Sequence, residues 1–148
     1  MKSTLSKFAV LSTMAAAMFF TSCGKKDTVD SLTDEIITKF DELAETVATA
    51  KDKESAEAAA KKIDAIGDDI LAIAKRLEAL PEPSEDEKKK IDEKMDAAVD
   101  DMQKKMADSM KGAMADPEVG KIIMEAMNGF GKKMDEAEDT FKKFGKSE

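Results

Sequence analysis

The sequence predicts an all-α fold, an up-down antiparallel helical bundle of four to five helices behind an N-terminal signal peptide. Three observations carry this. Apolar residues recur every three or four positions through most of the chain, and no segment alternates with the two-residue period of a strand. The composition is rich in Ala, Lys, Glu, Asp and Met, with only 3 Pro in 148 residues. The breaks between the periodic segments are short, which favours helices that fold back on one another.

The first helix is expected over 28–51, with Val29, Leu32, Ile36, Phe40, Leu43 and Val47 on one face and Ser31 or Asp30 as its cap. The second is expected over 53–80. Its stripe is Ala56, Ala59 or Ala60, Ile63, Ile66, Ile70, Ile73 and Leu77. Gly67 lies inside that helix, where glycine costs about 1 kcal/mol against alanine; close packing against a neighbour explains it. Pro81 and Pro83 stop the helix. In the third, Ser84-Glu85-Asp86-Glu87 reads as a capping box with acids in the first turn, where the helix dipole favours them. That helix should continue to about 114 on Ile91, Met95, Ala98, Met102, Met106 and Met110.

Asp116-Pro117 opens the fourth helix, with Asp as N-cap and Pro at the first helical position. Val119, Ile122, Ile123, Ala126 and Met127 follow, and Asn128-Gly129 reads as a C-terminal cap. A final helix, about 131–144, carries Met134, Ala137, Phe141 and Phe144. Acid-to-lysine pairs four residues apart, among them Glu35/Lys39, Asp101/Lys105 and Glu138/Lys142, suit exposed helix faces.

The first 22 residues read as an address. Lys2 and Lys7 precede the apolar run Phe8–Phe20, and no acid occurs before Asp27. As a helix that run spans about 20 Å, short of a bilayer core of about 30 Å. It ends in Phe20-Thr21-Ser22-Cys23-Gly24, and Cys23 is the only cysteine. This pattern resembles the lipobox of bacterial lipoproteins, with Phe20 where Leu is usual. The resemblance implies cleavage by signal peptidase II before Cys23, and a lipid on that residue that inserts in the membrane. Gly24, rather than Asp, after the cysteine implies the outer membrane. The expected organisation is 1–22 signal peptide, 23–30 lipidated cysteine and short tether, and 31–148 helical bundle.

The formal net charge is −8, and losing Lys2 and Lys7 with the leader makes the body more acidic still. A surface of that sign does not suit nucleic acid. The chain has no His, Trp or Tyr. Without His, the Ser-His-Asp and Cys-His mechanisms and His-ligated metals are excluded. No calcium loop, phosphate loop or cofactor motif occurs. The expectation is a protein that is not an enzyme and has no cofactor.

Two groups of residues stand out. Met102, Met106 and Met110 recur every fourth residue, and thioethers are ligands for Cu(I) or Ag(I). They are equally what an adaptable core uses. Phe130, Phe141 and Phe144 crowd into the last segment, as a partner-binding face or as packing against the bundle itself. The leading expectation is therefore a lipid-anchored structural or protein-interaction module of the bacterial cell envelope, binding another envelope protein. The alternatives are a periplasmic soft-metal binder and a coiled-coil homo-oligomer.

Overall fold

The computed structural model describes residues 27–145. The signal peptide, Cys23 and the tether as far as residue 26 lie outside the described residues, as do 146–148. The described chain forms four α-helices: α1 Val29–Ala48, α2 Lys53–Glu78, α3 Glu85–Ala113 and α4 Pro117–Phe144.

Each helix starts on a side-chain cap. Thr28 caps α1: its Oγ1 accepts from Ser31 N–H at 3.1 Å, and Ser31 Oγ accepts from Thr28 N–H at 3.0 Å. Ser31 is thus the answering residue of a capping box rather than the cap, and α1 begins at Val29. Asp52 and Ser55 form the same box at the start of α2. At α3 the Glu87 carboxylate accepts from Ser84 N–H and Oγ at 2.9 and 2.6 Å. Asp116 Oδ1 accepts from Glu118 and Val119 N–H at the start of α4, with Pro117 at the first position.

One boundary differs from expectation. α4 runs unbroken through Asn128, Gly129 and Gly131, so the expected fourth and fifth helices are one. Glycine can end a helix, but it does so by taking a left-handed backbone, and neither glycine does. The packing of Ile123, Phe130 and Ala137 on a common buried face outweighs two unfavourable glycines.

The helix directions alternate up and down. α2 and α4 run side by side in the same sense: Lys53 meets Glu118, Asp64 and Asp68 meet Lys133, and Glu78 meets Thr140. α1 and α3 do likewise, through Lys94 with Asp30 and Asp34, then Lys105 with Asp41. The two helical hairpins therefore lie one on the other, giving the ring order α1, α2, α4, α3. Contact along the α3–α4 side is sparse.

The core belongs to three of the helices. Leu32, Leu43 and Val47 of α1, Ile63 and Ile70 of α2, and Val119 and Ile123 of α4 are almost fully buried. α3 buries only Ala113. A main cluster around Ile63 and Ile123 fills the middle, and a second one, Leu32, Ile36, Ile73, Leu77 and Phe144, closes the end where the chain enters; Phe40 and Phe141 touch both. Gly67 of α2 faces α4 closely: a Cβ there would lie 2.7 Å from Lys133 Cδ and 3.5 Å from the Phe130 ring. The Lys133 stem lies across the glycine, and its Nζ reaches Asp64 and Asp68 at 2.7 and 2.6 Å.

A Cβ at Gly129 or Gly131 would meet nothing within 4 Å. Because both are helical, Gly129→Ala and Gly131→Ala should each stabilise the protein in urea unfolding, by about 0.5–1 kcal/mol. A left-handed cap at 129 would instead make Gly129→Ala destabilising.

Candidate functional site

Two features meet at the end of the bundle where the chain enters. The first is built on Arg76, the only arginine in the sequence. It occupies the last turn of α2, where the helix dipole favours a cation. Its Nε and Nη2 donate to the two oxygens of Asp27 at 3.0 and 2.6 Å, and its Nη1 donates to Glu35 at 2.6 Å. A guanidinium fork fits a carboxylate in this two-bond way, whereas a lysine ammonium does not. All three side chains are partly open to water, so the clamp adds little stability. What it supplies is position: the residue just ahead of α1 is fixed to the end of α2. Hydrogen bonding from Arg76 holds the Asp27 carboxyl below its ordinary value of 3.8.

The second feature is a groove of about 440 Å³ at the same end. Val29, Thr33 and Ile36 of α1 and Leu77 of α2 contribute, with Ile91, Asp92 and Met95 on α3. Met134, Asp135, Glu138, Phe141, Lys142 and Phe144 of α4 complete it, with Gly145. Ile36, Leu77 and Phe144 are buried and belong to the second core cluster. Val29, Ile91, Met95, Met134 and Phe141 are half-buried and stand around them. The groove takes lining from both α3 and α4, between which contact is sparse. Its volume falls in the range of small-molecule sites, about 300–1,000 Å³.

The residues singled out in the sequence fall as follows. Phe130 and Phe144 are core residues, at 7 % and 2 % exposure, and pack within the bundle. Their face is the one α4 turns toward α2. Phe141 is half-buried and lines the groove. Met102, Met106 and Met110 are half-buried and pack on the main core cluster, as space-filling thioethers do. Met114 has rotated off that line and is 50 % exposed, with its sulfur over Gly120. Among the described residues no group of three or more His, Cys, Asp or Glu could hold a metal ion. No described helix is long and apolar enough to cross a membrane. Cys23 lies outside the described residues.

Arg76 and the groove were not read from the sequence. The signal for Arg76 was its singularity in a chain that otherwise uses lysine for every cation. The groove had no sequence signal, because its walls come from all four helices.

No family model matches the chain, and no curated protein and no solved structure matches it.

The clamp has a pH signature. A carboxylate held below its unfolded value contributes stability above that value and loses it as the pH falls through its folded value. Arg76→Gln should therefore lower Tm at neutral pH, and the gap from the wild type should close below about pH 4. Arg76→Lys should recover part of the gap only. A gap that persists undiminished to pH 2 would place the effect of residue 76 outside its pairing with carboxylates.

Proposed function

We propose that this chain is a lipid-anchored protein of the bacterial cell envelope, held at the outer membrane by Cys23, whose helical body is a protein-interaction or structural module. The observation that carries the reading is the run Phe20-Thr21-Ser22-Cys23-Gly24 behind an apolar stretch too short to span a bilayer.

The described body supports it in two ways. The chain enters the bundle at a defined point, because Arg76 grips Asp27 four residues after Cys23. A lipid on Cys23 then tethers the bundle by one end. The exposed faces carry mixed charge with an acidic excess, which keeps the body off anionic headgroups and leaves attachment to the lipid. Long amphipathic helices suit a module that binds or spaces other components.

Cys23→Ala tests the anchor. The variant should accumulate with its leader attached and without lipid, seen as an intact mass matching residues 1–148 with no acyl addition. Cleavage after residue 22 that proceeds normally in the variant would refute lipoprotein processing.

A further inference from the structure

The groove lies where the lipid would be delivered. Val29, the first residue of α1, stands in the groove wall, and Asp27, two residues earlier, is clamped to Arg76. The link from Cys23 to Asp27 is four residues and spans about 14 Å at most. That reach exceeds the two-residue separation of Asp27 from the groove wall, so a group attached to Cys23 can lie at the groove mouth.

Resting on the lipid-anchored reading, we propose that the groove between α1, α3 and α4 shelters one acyl chain of the lipid on the protein's own Cys23 whenever the protein is in water rather than in a bilayer. Exposed methylenes are unfavourable in water, and a bilayer removes the need for shelter. The walls are suited to a flexible chain. Met95 of α3 and Met134 of α4 line it with Ile91 and Phe141, and unbranched thioethers adapt to an irregular apolar guest. α3, which carries one wall, buries only Ala113 and so can shift without breaking the core.

The rim selects among lipids. Among the described residues that line the groove, Asp135 and Glu138 are exposed acids, and the cation, Lys142, is engaged by Glu138 at 2.5 Å. An acidic rim disfavours the phosphate of a phospholipid and the carboxylate of a free fatty acid. An acyl chain joined to a cysteine lipid through an ester or amide carries no charge and meets no such barrier.

The test uses the full chain made in cells fed a fatty acid that bears a photoreactive diazirine. The lipidated protein is irradiated once diluted in water below the detergent's micelle concentration, and once in phosphatidylcholine vesicles. Peptide mass spectrometry then locates the label. The expected result is label on Cys23, with intramolecular crosslinks to peptides carrying Met95 or Met134 in water and their loss in vesicles. Label on Cys23 with no groove crosslinks in water would overturn the groove assignment while leaving the anchor intact. No label on Cys23 would overturn the anchor and the shelter together. Crosslinks that join two copies, or groove label that persists in Cys23→Ala, would overturn the proposal in favour of a second copy or a free fatty acid.

Discussion

Ile63, Ile66, Ile70 and Ile73 form a continuous buried stripe on α2, and the other helices are placed by how each reaches it. Burying one such side chain is worth about 1.5–3 kcal/mol relative to leaving it exposed. Gly67 interrupts the stripe where a larger residue would hold α4 away. Its missing side chain lets the Lys133 stem and the Phe130 ring settle against α2, and Lys133 then closes on two aspartates beside them. α1 meets the same stripe from the other side through Leu43 and Val47. These three helices make the core without much help from the fourth.

The position of α3 follows from what its sequence offers. Its inward face is methionine and alanine, with Ile91 its one branched aliphatic apart from Val99, and all but Ala113 remain partly open. It lies along α1, packed through Met102, Met106 and Met110 and tied by ion pairs from Lys94 and Lys105 to aspartates, which are weak in water. Because it leans on α1, the α3–α4 side stays open, and the groove is the part of that opening nearest the chain's point of attachment. The groove and the Arg76 clamp thus share one end of the molecule for a topological reason. In an up-down-up-down chain the start of α1, the end of α2, the start of α3 and the end of α4 all fall together.

Much of this was legible in residue patterns. The stripes of α1 and α2, the capping box at Ser84 and the Asp116-Pro117 start are local signals, and local physics decides them. The cap of α1 does not follow from residue type, because Thr28, Asp30 and Ser31 are all competent caps and only the geometry of Ser31 answering Thr28 separates them. Asn128-Gly129 misled because a helix end and a helix interior can share that dipeptide, and the choice rests on packing from Ile123 to Ala137. Helical period shows which face is buried but not which helix covers it, so the parallel pairing of α1 with α3 and α2 with α4 was not legible. The expected charge pairs show the same limit. Asp101–Lys105 and Glu138–Lys142 form within a helix, whereas Glu35 turns to Arg76 and Lys39 to Asp69 on α2.

α1, α2 and α4 form the stable body, and α3 is a loosely held wall. Native-state hydrogen exchange tests it most directly, because it reads the opening free energy of each helix separately. Amides of α2 around Ile63–Ile73 should exchange only by global unfolding, whereas those of α3 from Ile91 to Met106 should exchange through a smaller local opening. Equal protection of α3 and α2 would contradict this, and would mean that the methionine face contributes to the core as fully as the isoleucine stripe.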